Sequence, residues 1–250
     1  MSMIDRCLRL YETLDYFVHY PARPLPQDYW NAKVDPDGNV RDLAGERDQR
    51  KSDLAYIAAF VNGLMPGKVL DIGFGLGELL EQLEVRHDCI GLDTSQRAID
   101  VAQERCDADL RLGILEGDTF PANNFDVVIA HHVIEHVEEP IGFVRNICSI
   151  LKPGGHFVCG TPNFASAAAR VFGDRFRLLH DPTHVSLFTD DSLLRLLRDE
   201  GFVIEKVEFP FFNTRFASVE ACEAMLEGKS SVSPAFWGSF VTVFARKVAE

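Results

Sequence analysis

The sequence predicts an α/β fold whose mostly parallel sheet is covered by helices on both faces. Two observations support this prediction. Between residues 55 and 162, short β-rich apolar runs alternate with amphipathic helical stretches, which is typical of βαβ units. The first run is followed by a cluster of glycines that suits a tight strand-to-helix turn. The runs cover residues 68–72, 89–93, 110–115, 125–130 and 156–161.

Segments on either side of these runs complete the predicted domain. Residues 1–54 are rich in charges and turn formers and predict an N-terminal helical cap. Residues 163–188 show no helical or strand periodicity, and the segment is too long for an ordinary connection. We therefore interpret it as a lid inserted after the fifth strand. Residues 55–250 are expected to form one domain that includes this lid and makes a compact unit with the cap. Its last elements are a helix at 190–200, strands at 203–209 and 239–247, and a helix around 219–227.

Composition and charge exclude several classes of function. The 250 residues include 25 Lys and Arg against 38 Asp and Glu, a formal net charge of −13. Such a charge repels phosphate backbones, so no nucleic acid partner is expected. No apolar stretch is long enough to cross a membrane, and charged residues occupy the N-terminus, so we expect a cytoplasmic protein without a membrane partner. The six cysteines show no metal-binding or redox spacing.

The most specific motif lies at the end of the first predicted strand. Asp71 is followed by three alternate glycines, Gly73, Gly75 and Gly77, and then by a predicted helix. Glycines there allow a close approach of the backbone to a ligand, and a simple tight turn is the alternative. A dinucleotide-binding loop needs a glycine where this chain has Glu78, and acidic side chains would repel a diphosphate. The pattern therefore indicates a cationic or zwitterionic ligand.

From residue 55 to about residue 200, the sequence resembles the class I S-adenosylmethionine-dependent methyltransferases, whose first motif is an acidic residue followed by Gly-x-Gly-x-Gly. The resemblance implies a Rossmann-like sheet of seven strands in the order 3-2-1-4-5-7-6, with the seventh strand antiparallel to the others. It also implies S-adenosyl-L-methionine as cofactor and S-adenosyl-L-homocysteine as product. The cofactor is expected at the carboxyl ends of the strands.

The resemblance assigns cofactor-binding residues beyond the glycine loop. Asp93 ends the second strand, where its carboxylate can accept hydrogen bonds from both ribose hydroxyls, with Thr94 beside it. Asp118 and Thr119 follow the third strand, at the position from which the family holds the adenine amine. His131 follows the fourth strand and is the last cofactor-binding residue that we expect.

Four further side chains are candidates for catalysis. His132, Glu135 and His136 have the spacing i, i+3 and i+4, so a helix after the fourth strand would carry them on one face. His184 follows the fifth strand, so all four are expected to meet above the sulfonium. In one interpretation, a histidine is a general base. In another, Glu135, His136 and His184 hold a divalent ion. In the third, the histidines have only a structural role, as hydrogen-bonded side chains at an interface, and Glu135 pairs with the lid.

The metal interpretation follows a resemblance to small-RNA 2′-O-methyltransferases, which have a Glu-x-x-Glu-His pattern and a distal histidine. This chain has His132 at the position of the first glutamate, a departure that would favour transition metals. The lid carries Arg170, Arg175 and Arg177 against two aspartates, which suits either an anionic acceptor or a solvated face.

Together these features predict a transferase that methylates a hydroxyl oxygen of a small molecule, such as a sugar, a glycan precursor or a secondary metabolite. Residues 181–189 look like members of the superfamily found with polysaccharide biosynthesis, and the turn at Glu135 and His136 is similar to the ubiquinone-pathway O-methyltransferases. One alternative is a non-catalytic partner or sensor protein that binds S-adenosylmethionine. A second is a metal-assisted RNA 2′-O-methyltransferase. The sequence does not predict the oligomeric state.

Overall fold

The computed structural model describes residues 1–21, 33–34, 40–41, 45–211, 219–229, 233 and 238–249. The other parts of the predicted cap, at 22–32, 35–39 and 42–44, lie outside the described residues. Within the described ranges, no helix combines the length and the apolar character needed to cross a bilayer.

Eleven strands occur in the described part of the chain. They are β1 (Val18–His19), β2 (Lys33–Val34), β3 (Val40–Arg41), β4 (Lys68–Ile72), β5 (Asp88–Asp93), β6 (Asp109–Leu112), β7 (Phe125–His131), β8 (Leu151–Pro162), β9 (Ser186–Leu187), β10 (Phe202–Glu208) and β11 (Phe240–Lys247).

The helices fall between and around these strands. The α-helices of the described residues are α1 (Met3–Leu8), α2 (Leu10–Thr13), α3 (Arg47–Asp53), α4 (Ala55–Asn62), α5 (Leu80–Leu83), α6 (Gln96–Ala102), α7 (Pro140–Ile150), α8 (Ala167–Phe172), α9 (Asp190–Asp199) and α10 (Val219–Leu226). Short 3-10 helices cover Ile134–His136, Gly173–Arg175 and Arg177–His180.

Seven strands form the central sheet in the order β10-β11-β8-β7-β4-β5-β6. Strands β4 to β8 pair in parallel, whereas β11 is antiparallel to both of its neighbours. In chain order within the sheet, this arrangement reads 3-2-1-4-5-7-6, so the expected fold and strand order are confirmed. The carboxyl ends of β4, β5 and β7 therefore lie side by side, where ligands of such sheets bind.

Each face of the sheet has its own apolar core. On one face, α7 and α9 bury residues such as Val144, Ile147 and Leu196. On the other face, α4, α5 and α6 bury residues such as Ile57 and Leu80. Burial of one such side chain stabilises the fold by roughly 1.5 to 3 kcal/mol. Helix α9 begins with a capping box between Thr189 and Ser192.

A third core joins the N-terminus to the predicted lid. Apolar residues of α1 and α2 pack against the lid in a cluster that includes Ile4, Leu10, Phe164 and Phe176. Strand β1 pairs with β9, which lies inside the lid. We call residues 3–20 and 163–188 together the cover. Helix α3 is not part of the cover, because its arginine and lysine side chains form salt bridges with glutamates near the glycine loop.

Side chains from α9 hold the first part of the cover in position. The guanidinium of Arg195 donates hydrogen bonds to the carbonyl oxygens of Leu10, Leu14 and Asp15, at 3.1, 2.9 and 2.9 Å. Tyr16 donates to Asp199 at 2.7 Å. The cover is thus attached to the domain by polar bonds as well as by its own core.

Candidate active site

The loop after β4 has a backbone that only glycine accommodates. Gly73 has a φ of +68°, in the left-handed region, and its N–H donates to the carbonyl oxygen of Leu92 at 2.7 Å. A Cβ atom at this position would lie 2.5 Å from Cγ2 of Val133, which follows β7. The close approach brings the turn after β4 against the turn after β7.

Asp93 at the end of β5 fixes the same loop. Its Oδ2 accepts a hydrogen bond from the N–H of Gly75 at 3.0 Å, and its Oδ1 accepts one from the N–H of Ser95 at 2.9 Å. A carboxylate has about four lone-pair sites, so each oxygen retains the capacity to accept a ribose hydroxyl. Thr94, also predicted at this site, is exposed beside it.

Three carboxyl groups gather around the glycine loop. Burial raises the pKa of Asp71 well above its ordinary value, and the charges of Asp93 and Glu78 add to this effect. Glu78 accepts a hydrogen bond from Nε of Arg50 at 3.0 Å through Oε1, while its buried Oε2 has no hydrogen-bond partner among the described residues. Such a cluster suits a ligand that brings positive charge and donors. S-adenosylmethionine, with its sulfonium and ammonium groups, fits this site.

The predicted adenine residues have different surroundings. Asp118 is exposed in the turn after β6. The hydroxyl of Thr119 accepts a hydrogen bond from the N–H of Glu116 at 2.8 Å and donates to the carbonyl oxygen of Ile114 at 3.3 Å. The structure therefore gives Thr119 a role in shaping the turn, while its contact with adenine stays a prediction, as does that of Asp118.

His131, the last predicted cofactor residue, ends β7 and lies on β8. A Cβ atom at Gly160 would be 2.2 Å from Cδ2 of His131, so the imidazole lies directly on the glycine backbone. Its Nε2 is 3.2 Å from the hydroxyl of Tyr56, which in turn is 2.7 Å from the hydroxyl of Thr242. Tyr56 and Arg50 were not predicted from the sequence, because each is a single residue on a helix and is not part of a recognisable motif.

Glu135 lies at the centre of the predicted catalytic group. It is 0% exposed, and its two oxygens accept hydrogen bonds from Nδ1 of His132 at 3.1 Å and from the hydroxyl of Thr161 at 3.0 Å. Burial alone would raise its pKa, but the hydrogen bond from His132 and the nearby His136 and His184 outweigh burial and lower the pKa to about 2. The carboxylate is therefore ionised at neutral pH.

The expected helix that would present these residues on one face is wrong. The segment forms only a 3-10 helix over Ile134–His136, and α7 begins later, at Pro140. His132 has a φ of +60°, a left-handed conformation that no helix continues, and its N–H donates to the carbonyl oxygen of Gly160 at 2.8 Å. A tight turn between strand and helix, rather than helical periodicity, brings His132 to Glu135.

His136 and His184 do come together, as predicted. Their ring centroids are 5.0 Å apart. Nδ1 of His136 is 2.8 Å from the carbonyl oxygen of Thr183, and Nδ1 of His184 is 2.7 Å from that of Leu178. Because a carbonyl oxygen only accepts, each Nδ1 must carry the proton, so each neutral ring has its lone pair on Nε2.

The same three residues could hold a cation. One ligand atom each from Glu135, His136 and His184 lies within 4.8 Å of the others. A histidine that binds a metal commonly donates its second N–H to a carbonyl oxygen, as both histidines do here. Asp181 approaches as well, with Oδ2 at 3.8 Å from Nε2 of His184. The arrangement is therefore chemically suited to a base or to a divalent ion.

The three lid arginines have different surroundings. Arg170 is exposed and lies in a surface cleft lined also by residues of α1 and α2. Arg175 is exposed and Arg177 is buried. Asp174 accepts hydrogen bonds from the N-terminal amides of α1. For Arg170 and Arg175, these positions favour the solvated face over binding of an anionic acceptor.

Comparison with known proteins identifies the family. A family model described as a methyltransferase domain matches residues 39–207, which include the glycine loop, Asp93 and the histidine turn. The chain belongs to this methyltransferase family. It is an S-adenosylmethionine-dependent methyltransferase, so the predicted enzyme class and cofactor are confirmed.

Curated relatives of this chain carry the name ubiquinone biosynthesis O-methyltransferase. The protein from Coxiella burnetii (strain RSA 493 / Nine Mile phase I) is 30% identical over 217 residues, which cover 78% of this chain and 88% of the relative. The protein from Roseobacter denitrificans is 35% identical over 171 residues, which cover 64% and 66% of the two chains.

Solved structures agree on the fold. A methyltransferase from Bacillus halodurans C-125 superimposes with a TM-score of 0.65 at 19% identity, over 79% of this chain and 100% of that chain. A SAM-dependent methyltransferase from Archaeoglobus fulgidus gives a TM-score of 0.60 at 21% identity, over 80% and 94% of the two chains.

Proposed function

We propose that this methyltransferase transfers the methyl group of S-adenosylmethionine to a hydroxyl oxygen of a small-molecule acceptor. The observation that supports this most directly is the fixed pair of His136 and His184, whose Nδ1 protons are held by backbone carbonyls. A base for a hydroxyl needs an accessible lone pair, and the fixed tautomer leaves one on Nε2. The names of the curated relatives, which are O-methyltransferases, also favour oxygen.

His136 is the proposed general base. It is half-buried, whereas His184 is only 6% exposed and has Asp181 beside it. Nε2 of His136 would take the proton of the acceptor hydroxyl as the C–O bond forms and the C–S bond breaks. When bound, S-adenosylmethionine supplies a methyl group on a good leaving group, so the protein contributes alignment, exclusion of water and this base.

Cofactor contacts are part of the same proposal. Asp71, Gly73, Gly75, Gly77 and Glu78 would surround the amino-acid end, and Asp93 with Thr94 the ribose. Asp118 and Thr119 would face the adenine, and His131 would complete the site. The support is their position at the carboxyl ends of neighbouring strands.

The test uses His136→Ala and His184→Ala with His180→Ala as the matched control, since His180 is an exposed lid histidine. Release of S-adenosylhomocysteine is measured over a panel of small hydroxyl compounds, and cofactor affinity is measured by calorimetry. Loss of the base should lower turnover about 100-fold or more, with cofactor affinity retained. Full turnover in His136→Ala would exclude the proposed base. Tight cofactor binding without transfer to any compound would instead favour a non-catalytic sensor.

A second candidate mechanism uses a divalent ion held by Glu135, His136 and His184, which is favoured by the 4.8 Å grouping of their ligand atoms. An ion there would polarise the acceptor hydroxyl. Chelator treatment should then abolish turnover, and added divalent ions should restore it. The two alanine variants would lose the metal together, whereas a chelator without effect would exclude this mechanism.

A further inference from the structure

A short part of the lid, residues 181–186, lies along the turn that carries His136. The carbonyl oxygen of Thr183 is 2.8 Å from Nδ1 of His136. The N–H of Val185 donates to the carbonyl oxygen of Glu135 at 2.7 Å. The turn after β7 and this part of the lid are therefore joined at two nearby positions, one of which involves the proposed base.

Asp181 determines the shape of this part of the lid. Its Oδ1 accepts two hydrogen bonds from Thr183, one from the backbone N–H at 3.1 Å and one from the hydroxyl at 2.6 Å. Its carbonyl oxygen accepts a third, from the N–H of His184 at 3.2 Å. Pro182 lies between Asp181 and Thr183, and its ring fixes φ. An aspartate that bonds the backbone two residues further on is typical of a turn, so residues 181–184 form one, which we call the Asp181 turn.

Burial strengthens the bonds of the Asp181 turn. Asp181 is 8% exposed, and Thr183 is 4% exposed. Hydrogen bonds are electrostatically stronger inside a protein than in water, and 2.6 Å is at the short end of the usual range between two oxygen atoms. The side chain of Asp181 therefore restricts the backbone of Thr183.

This restriction determines where the carbonyl group of Thr183 points. Its oxygen accepts the Nδ1 proton of His136, which leaves the lone pair of the neutral ring on Nε2. If the backbone of Thr183 turned, the ring would lose the bond that selects this tautomer and sets its orientation. A misplacement of about 1 Å at a reacting group can lower a rate by about 100-fold. A side chain that acts only on Thr183 can therefore control what His136 does.

We propose that Asp181 is a positioning residue that acts through the carbonyl group of Thr183 and holds His136 with its proton on Nδ1 and its lone pair on Nε2. This proposal rests on the proposed function of His136. It applies whether Nε2 takes a proton or binds a divalent ion, since both need the same lone pair. The N–H of His184 donates to Asp181 as well, so one turn of the lid fixes the backbone beside both histidines.

The tautomer of His136 can be observed without an acceptor. Proton–nitrogen correlation spectra of histidine-labelled protein are recorded with a chelator and S-adenosylhomocysteine, at a slightly alkaline pH that keeps the ring neutral. His136 should be protonated on Nδ1 alone, and its signals are assigned by their loss in His136→Gln. In Asp181→Ala the ring should populate both tautomers. Thr183→Val loses only the hydroxyl and should give a smaller change, whereas Thr183→Ser keeps both donors and should give the wild-type spectrum.

Turnover is the second measurement, made with whichever small hydroxyl compound the wild-type protein methylates fastest. Asp181→Ala should lower kcat about tenfold and Thr183→Val about threefold. KM and cofactor affinity should change little, because the orientation of a base matters in the transition state. Asp174→Ala is the matched control, since Asp174 is another lid aspartate but accepts from backbone N–H groups of α1. It should leave the tautomer and kcat unchanged.

The outcomes separate this proposal from the assignment of the base. An unchanged tautomer in a folded Asp181→Ala variant would overturn the positioning role. Equal loss of the tautomer in Asp174→Ala would overturn it too, because the cover as a whole would then be loosened. If Asp181→Ala does not fold, Thr183→Val and Thr183→Ser decide by the same criterion. Mixed tautomers with wild-type turnover would support the positioning of His136 by Asp181 but exclude His136 as the base.

Discussion

Replacing Glu135 with glutamine tests how much the buried charge of Glu135 stabilises the turn after β7, which carries His132 and His136. The variant keeps the shape of the side chain but removes its charge. In the wild-type protein both carboxylate oxygens accept, one from His132 and one from Thr161. Glutamine has one oxygen and an NH2 group, so one of these two donors must face another donor or find a new partner.

The size of the effect follows from the pKa of the buried carboxyl group. Glu135 is 0% exposed, and its pKa falls from 4.5 to about 2. Each pKa unit corresponds to about 1.4 kcal/mol, so ionised Glu135 stabilises the folded state by about 3 kcal/mol. Since the folded pKa is below the unfolded one, this stabilisation is fully present above about pH 4.5 and disappears as the pH falls towards about 2.

Urea unfolding of the two proteins at neutral pH and at about pH 3 measures this contribution. Glu135→Gln should be less stable by about 3 kcal/mol at neutral pH, and the difference should shrink at the lower pH. Glu138→Gln, an exposed neighbour, is the matched control and should change stability by less than about 0.5 kcal/mol. A difference that is the same at both pH values, or no larger than that of the control, would refute the reasoning.

Three other outcomes are expected. Asp93→Ala should weaken S-adenosylmethionine binding by roughly 2 to 3 kcal/mol in calorimetry, because a charged acceptor is lost; unchanged affinity in a folded variant would remove Asp93 from the site. Gly73→Ala should abolish cofactor binding through its 2.5 Å clash with Val133 and its positive φ, and an unaltered dissociation constant would contradict this. Filter binding should retain no RNA or DNA at physiological salt, given the net charge of −13, whereas tight, salt-sensitive retention would favour the RNA alternative.

The sequence predicts the strands best where a strand is buried on both faces. The first run, at 68–72, coincides with β4 because a continuous apolar run is what a central parallel strand requires. Strand β8 is longer than predicted, since Leu151–Pro162 includes the Lys-Pro-Gly-Gly stretch that local chemistry marks as a turn. Pairing with β11 begins only at His156, and the pairing with β7 jumps from Leu151 to His156, so residues 152–155 form an irregularity within the strand. Gly154, with a φ of +75°, lies in this irregularity, so the local turn chemistry is kept inside the assigned strand.

Contacts between distant segments could not be predicted. The cover joins the N-terminus to the lid through the pairing of Val18 with Leu187 and through Arg195, about 180 residues from its carbonyl partners. A two-residue strand has no periodicity, and one arginine on an amphipathic helix resembles any exposed cation. From a single sequence, the cap and the lid are therefore predicted as separate segments. In the fold, parts of the two pack together.

For the candidate site, the sequence predicts the position of a residue best where that residue lies at a strand end. The glycine loop and Asp93 each lie in one βα turn, directly after an apolar run that predicts the strand, and the family resemblance then selects Asp93. His132, Glu135 and His136 were also selected from spacing, but the helix that motivated the choice does not exist. The residues meet because the N–H of His132, in the turn after β7, donates to the carbonyl oxygen of Gly160 in β8. The spacing of residues in a sequence does not predict such a contact between strands.

The candidate site has two halves, one on the central sheet and one on the cover. The proposed cofactor half is built on the sheet, where Asp93, Gly73 and His131 lie at the ends of neighbouring strands. His184 comes from the cover, and the backbone connects it to the sheet half, since the N–H of Val185 donates to the carbonyl oxygen of Glu135 at 2.7 Å. Tyr20 in turn donates through its N–H to the carbonyl oxygen of Val185 at 2.9 Å. Because these hydrogen bonds connect His184 to the turn that carries Glu135, a change in the cover is expected to act on the histidine pair through Val185.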